Sequence, residues 1–406
     1  MDYISFKNAV IAKCQEMGIT EYELYYQSDE STSIEAFQHE INQFTASKEG
    51  GVCFRCIVGG KMGYASTEDL SAEQAASVVE RAADNASVLE AEEQVFLCQG
   101  GQEYLPLEDR SFPLPATEDI ISTVLDTQEK LYKANPAVID GCQTQGIAER
   151  SELAIFNSKG LDLYSQSSLA ALIAVAVVTD GKEMANDFQI KLAKLDTIDT
   201  DELTRKAVDT AMQKLGGEPA PTGQYPVVFD PEAMSSFLQV YSSIFSSEAA
   251  QKGLSKLAGQ EGQMVASPLV TVVDDPFHKS NLMARNFDAE GSPAYCKNVI
   301  EKGEFKTLLY NLKTAAVAGT KTTGNAAKAG YAGNVNVSPF TMYIAPGEIT
   351  EDALLAQRAY WDAWWLTSDI CIESANETLD ASVAAEQQGI RFCSFQLAQT
   401  YNGGSM

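Results

Sequence analysis

The sequence predicts an α+β protein of two domains. Three features carry this: an amphipathic helix followed at once by a strand, several strand-forming runs separated by turn residues, and a Gly/Pro-rich stretch near residue 220. With 406 residues, 45% of them hydrophobic, the chain is long enough for two cores of ordinary size, and disorder is ruled out.

The first helix carries Phe6, Val10, Ile11 and Met17 on one face and is ended by Gly18, before the strand-like Tyr22-Glu23-Leu24-Tyr25-Tyr26. Short β-rich runs follow at Ser33–Phe37, Val52–Val58 and Met62–Ala65, the last two joined by a hairpin at Gly59-Gly60. Ser71-Ala72-Glu73-Gln74 is a capping box that opens an Ala-rich helix to about Leu89. A second helix spans Thr117–Ala134, stopped by Asn135-Pro136. Four strands, Val138–Ile147, Arg150–Phe156, Asp162–Ser168 and Leu169–Val178, then read as an antiparallel meander, and a helix covers Thr200 to Leu215. The stretch Gly216–Gly223 is the best linker, so the domains are expected at 1–218 and 224–406. Beyond it, a helix with Pro231 at its first position is expected to run to about Gln251. Met234, Phe237, Leu238, Val240, Tyr241, Ile244 and Phe245 make it apolar nearly all round, which predicts burial.

The balance of 29 Lys+Arg against 56 Asp+Glu gives a net charge of −27. Such a chain repels phosphate backbones and anionic lipid, which speaks against binding nucleic acid or membrane. The opening Met1-Asp2-Tyr3-Ile4-Ser5-Phe6-Lys7 lacks an export signal, and eight irregularly spaced Cys suit a reducing compartment, so a cytoplasmic protein is expected. The longest apolar run, Leu169–Val178, is about half of what a membrane helix needs.

Only two histidines exist. His39-Glu40 opens like a zinc-protease helix, but Gln43 and Phe44 stand where the second His would have to be, which leaves a polar pair on a strand or turn. Asp274, Asp275 and His278 are weak candidates for a carboxylate-rich metal site, and an Asx-stabilised turn explains the same residues. Cys53-Phe54-Arg55-Cys56 has CxxC spacing without a second pair, and on a strand its thiols face opposite sides. No GxSxG elbow marks out a serine, and Gly319–Gly324 misses the spacing of a phosphate loop.

Several stretches in a shared order resemble the TldD/PmbA family, subunits of a peptide-processing metalloprotease once named modulators of DNA gyrase. These are Gly50–Ile57 with Arg55, the hairpin Gly60–Thr67 with Gly63, and the turn Asn157-Ser158-Lys159-Gly160. Further on come Phe229-Asp230-Pro231-Glu232-Ala233, Asp274-Asp275-Pro276, Phe287-Asp288-Ala289-Glu290-Gly291 and Thr323-Gly324-Asn325-Ala326. The resemblance implies an N-terminal α/β-mixed domain and a C-terminal curved antiparallel sheet around a central helix. TldD-type subunits carry HExxxH on that helix, where this chain has Gln239, Val240 and Ile244, none of which binds zinc or takes a proton. It therefore resembles the PmbA (TldE) type. That implies no catalytic residue and no cofactor in this chain, and zinc in a TldD-type partner. It also implies a heterodimer with such a partner, or a homodimer, acting on a peptide substrate. A gyrase-binding adaptor is the alternative.

Residues 358–406 depart from the family pattern. All three Trp lie in Trp361-Asp362-Ala363-Trp364-Trp365, whose codons read one base later permit Gly-Met-His-Gly-Gly. A shifted frame and a divergent C-terminus both account for this segment.

Overall fold

The computed structural model describes residues 1–90, 95–217 and 229–347. The N-terminal part is built on one antiparallel sheet of six strands: β1 (Tyr22–Phe37), β2 (Glu40–Val58), β3 (Lys61–Thr67), β4 (Gln143–Asn157), β5 (Asp162–Thr179) and β6 (Met184–Leu192). Their spatial order is β3-β2-β1-β4-β5-β6. The short runs expected at 33–37 and 52–58 belong to strands of 16 and 19 residues. The four expected between 138 and 178 are two, β4 and β5. The polar stretches between the apolar runs, such as Asp29–Thr32 and Thr45–Glu49, are poor strand formers locally, but the ladders on either side of β1 carry them through without a turn. β6, which the sequence reading missed, pairs with β5 from Ala171 to Thr179.

Four helices cover one face of this sheet. α1 (Tyr3–Met17) is capped by Asp2 and ended by Gly18 in the left-handed region, and α2 (Ala72–Val88) is capped by Ser71. Together they bury Phe6, Val10, Val78 and Ala82 against Leu24, Val52, Phe54 and Cys56. α3 (Thr117–Ala134) and α4 (Thr200–Gln213) do the same at the other end, over Ile34, Ala148, Leu172 and Ala174. Gly63 on β3 permits the close approach of α2: a Cβ there would lie 1.9 Å from the Ala82 carbonyl oxygen. The first hairpin turns at Gln38-His39, both with positive φ, so His39 lies at a hairpin tip, its ring against Tyr132.

β3 pairs with β2 only from Val52 to Val58, and among the described residues no second strand lines the outer edge of the preceding part of β2. The β1/β2 register also breaks at Glu35/Ala36, so that the backbone of Asn42 is left out of the register while its side chain donates to Glu35 Oε1 (3.0 Å).

The C-terminal part begins with α5 (Pro231–Tyr241), a 3₁₀ turn over Ser242–Phe245 and α6 (Ser247–Gln251). The single helix expected from 231 to 251 is thus broken. Serines break it: the Ser242 hydroxyl donates to the Gln239 carbonyl (2.8 Å), and the Ser246 hydroxyl accepts from the Ala249 N–H to start a new helix. Nor is α5 buried as its composition predicts: none of its residues is, and Val240 is 67% exposed. Leu238 and Ile244 only flank a core of Phe245, Val272, Val299, Phe305 and Leu309. That core lies on a small antiparallel sheet of β7 (Val272–Asp274), β8 (Lys297–Glu301), β9 (Glu304–Phe305) and β12 (Met342–Ile344). α7 (Leu312–Ala318) and a two-stranded ribbon of β10 (Ala326–Ala327) and β11 (Asn336–Val337) complete it. Most of the Gly216–Gly223 linker, and all of 358–406, lie outside the described residues.

No described helix is long and apolar enough to cross a membrane. The six cysteines among the described residues are free thiols, and Cys53 and Cys56 belong to cores on opposite faces of the sheet, as alternation requires.

Candidate functional site

The face of the large sheet turned away from the helices receives the C-terminal part. Tyr25, Cys53, Leu153 and Ile155 pack there against Phe287, Ala289 and Ala326. Inside this apolar contact runs a polar seam, and most of the motif positions singled out in the sequence converge on it.

The seam starts on three adjacent strands. Glu23 of β1 stands opposite both Arg55 of β2 and Asn157 of β4. Arg55 Nε donates to Glu23 Oε1 at 2.7 Å, and Nη2 lies 2.7 Å from the same oxygen without the alignment of a hydrogen bond. Asn157 Nδ2 donates to Glu23 Oε2 (3.3 Å) and to the Cys98 carbonyl (2.9 Å). Its Oδ1 accepts from the N–H groups of Lys159 and Leu161, an Asx turn that shapes the β4–β5 loop, in which Gly160 adopts φ 95°.

The C-terminal part contributes the loop 287–291. Asp288 accepts through Oδ1 from the N–H groups of Glu290 and Ser292 (both 2.9 Å) and through Oδ2 from that of Ala326 (3.0 Å). Glu290 Oε2 accepts from the Leu312 N–H at the start of α7 (2.8 Å). Both carboxyls are nearly inaccessible, 2% and 4% exposed. Burial and the neighbouring Glu290 charge raise the Asp288 pKa; burial raises that of Glu290, while Arg55 opposes the rise. Gly291 has φ 83° and faces the β4–β5 loop so closely that a Cβ would lie 2.5 Å from Leu161 Cδ1. The Tyr104 hydroxyl donates to its carbonyl (2.7 Å).

A second buried cluster lies beside it. Asp274 accepts from Lys297 Nζ (3.1 Å), Asn325 Nδ2 (2.8 Å) and the Phe340 N–H (2.7 Å). Lys297 also reaches Asn325 Oδ1 (3.0 Å). Gly324 adopts φ 68° just before Asn325, its Cβ position 2.2 Å from the Pro293 carbonyl oxygen.

The weak metal candidates each have other partners. Asp274 is committed to Lys297 and Asn325, Asp275 Oδ1 accepts from the Phe277 N–H in an Asx turn, and His278 Nδ1 meets the Ser280 hydroxyl at 2.6 Å. Among the described residues no three His, Cys, Asp or Glu side chains gather in a way that could hold a metal. Asp230 is the N-cap of α5, its Oδ1 accepting from the Ala233 N–H (2.7 Å). On α5 and the turn after it, Gln239, Val240 and Ile244 supply one amide and two hydrocarbon groups, a donor set that does not fit zinc.

Sequence reasoning missed Glu23, Lys297 and Cys98 as members of this site. Glu23 was signalled, as the one charge in the otherwise apolar and aromatic run Tyr22–Tyr26. Lys297 carried no signal, since its partner lies 23 positions away. The seam is almost closed to solvent and burial pushes its Cys98 thiol up to about 11, away from the reactive thiolate, so its chemistry is that of a fastening between two parts. A cavity of about 680 Å³ lies elsewhere, an open trough beside the start of α1 and lined in part by Tyr26, Glu152 and Tyr164.

Comparison with known proteins places this geometry. Three family models match in order: PmbA/TldA metallopeptidase domain 1 over residues 22–86, the central domain over 111–215 and the C-terminal domain over 222–390. The last match runs to residue 390, past residue 358, from which a departure from the family pattern is expected. A metalloprotease of Methanothermobacter thermautotrophicus is 30% identical over 216 residues, 50% of this chain and 46% of the relative. A TldD metalloprotease homolog of Buchnera aphidicola is 29% identical over 149 residues, 36% of this chain and 31% of its own length. These alignments thus span less than half of either relative. Among solved structures, a protein from Thermotoga maritima described as a modulator of a DNA gyrase superimposes with TM-score 0.79 at 26% identity, covering 88% of this chain and 80% of that one. TldE from Thermococcus kodakarensis gives 0.78 at 21% identity, covering 86% and 79%, a likeness of fold.

Proposed function

The chain belongs to the PmbA/TldD family, and from that premise we propose that it is a TldE-like, non-catalytic subunit of a TldD/TldE-type metalloprotease that processes or degrades peptides. The reading rests on Gln239, Val240 and Ile244, which stand about where the resemblance puts the His, Glu and His of a TldD-type subunit. Without two imidazoles and a base, zinc is not held and its water is not activated. Zinc and the catalytic Glu then belong to a TldD-like partner, and this chain forms part of the enclosure around the peptide. Its net charge of −27 favours basic or neutral peptides over acidic ones.

Co-expression with an HExxxH-bearing relative tests this. The expected result is a heterodimer that cleaves unfolded peptides, while this chain alone is inert. Peptide cleavage by the isolated, metal-free chain would overturn it. The second reading, a gyrase-binding adaptor, is supported by the description of the Thermotoga maritima neighbour. Salt-dependent capture of purified gyrase by this chain, with no effect on peptide cleavage by the partner, would favour it instead.

A further inference from the structure

The seam between the large sheet and the C-terminal part holds more negative than positive charge. Glu23, Asp288 and Glu290 are three buried carboxyls, and Arg55 is the one guanidinium set among them. Two further cations lie at the margin without bonding to the three carboxyls: Lys328, whose Nζ donates to the Tyr331 carbonyl (2.6 Å), lies 4.2 Å from the centre of the Tyr25 ring and senses Glu23 and Arg55, and Arg285, which faces Tyr25. The other titratable groups facing the seam are Tyr25 of β1, Cys53 of β2, Tyr64 of β3, and Cys98 and Tyr104 of the segment before α3. Tyrosines and thiols add no positive charge. Burial pushes Cys98 up to about 11 and Tyr104 up to about 12, so these two add no negative charge at neutral pH.

Removing three carboxylates from water beside one guanidinium costs more than keeping one of them protonated. We propose that at neutral pH the seam holds one dissociable proton on the Asp288–Glu290 pair, and that its loss to solvent loosens the C-terminal part from the sheet. Backbone donors decide where the proton resides. Ionised Asp288 is served by three N–H groups and Glu290 by one, so Glu290 is the acid. Neither zinc nor a partner subunit enters this inference, which stands apart from the proposed function.

The sign follows from linkage. A carboxyl whose pKa is higher in the folded than in the unfolded state contributes stability that is complete below its unfolded pKa and is lost as pH rises through its folded pKa. Both groups shift in that direction. The seam is therefore tight in acid and loosens through neutrality, opposite to an ordinary salt-bridged carboxylate.

Hydrogen exchange on the full chain tests this at the amides of Glu290, Ser292, Ala326 and Leu312, which donate to the pair. After correction for the intrinsic pH dependence, protection should fall about tenfold for each pH unit between the ordinary carboxyl range and the pair's midpoint, the slope of one linked proton, and level off above that midpoint. In Glu290→Gln, which cannot ionise, protection should not change with pH. A second measurement needs no variant: the infrared carboxyl band of a protonated acid should persist above the ordinary carboxyl range in the wild type and vanish through the same midpoint at which protection levels off. Absence of that band, flat wild-type protection, or an unchanged slope in Glu290→Gln would each overturn the proposal.

Discussion

Glu23 and Arg55 occupy directly opposed positions on β1 and β2, 2.7 Å apart and only 2% and 6% exposed, so the guanidinium is held at the boundary between the two parts of the chain. The cross-strand pair and the fastening are therefore one structure, and changes to either residue report on both.

Arg55→Met should destabilise the protein by about 3–5 kcal/mol, because Glu23 is left buried without its counter-charge. Replacing both partners, as Arg55→Met with Glu23→Gln, should recover a good part of the loss. Denaturant unfolding of the four members of this cycle measures the coupling; purely additive effects would show that the pair does not act as a unit.

Gly63→Ala should cost at least about 3 kcal/mol, since the new methyl would meet the α2 backbone rather than a yielding side chain. Thermal unfolding detects it. A near-neutral substitution would mean that α2 can move off β3.

Lys302→Asn should stabilise by about 0.5–1 kcal/mol. Lys302 and Gly303 form the two-residue turn between β8 and β9 with φ of 49° and 84°, and Asn-Gly suits such a turn far better than Lys-Gly. An unchanged or lower melting temperature would count against local strain there.

Elemental analysis of the isolated chain, handled free of added metal, should find no stoichiometric zinc. A tightly bound transition metal lost on substituting His278 or Asp275 would instead make the Asp-Asp-Pro turn a site.

Helix ends of the N-terminal part were legible where their signals are local: Ser71 caps α2 through its own side chain, and Gly18, in the left-handed region, ends α1. Strand lengths were not legible. The polar middle of β1 is extended only because β2 and β4 pair with it on both sides. The break after Tyr241 depends on serine hydroxyls that composition counts merely as polar, so apolar content overstated both the length and the burial of that helix. Arg55, Asn157, Asp288 and Glu290 were visible one by one as motif positions. Their meeting was not, because Arg55 and Glu290 lie on separate parts of the chain and no spacing rule links them.

The exposed edge of β2 is a hazard of a different kind. Odd-numbered residues of β1 bond to β2, as the Ile57 N–H to Glu21 carbonyl contact (2.9 Å) shows, so Phe44, Ala46 and Lys48 present their amides to solvent. Such a row invites a stray strand from an unfolded chain and could seed aggregation. The out-of-register Asn42 breaks the pleat at one end, β3 occupies the edge at the other, and the Lys48 charge sits between them. A recruited strand could zip along only a few residues before losing registry, too few for a growing fibril, and the open edge remains colloidally quiet.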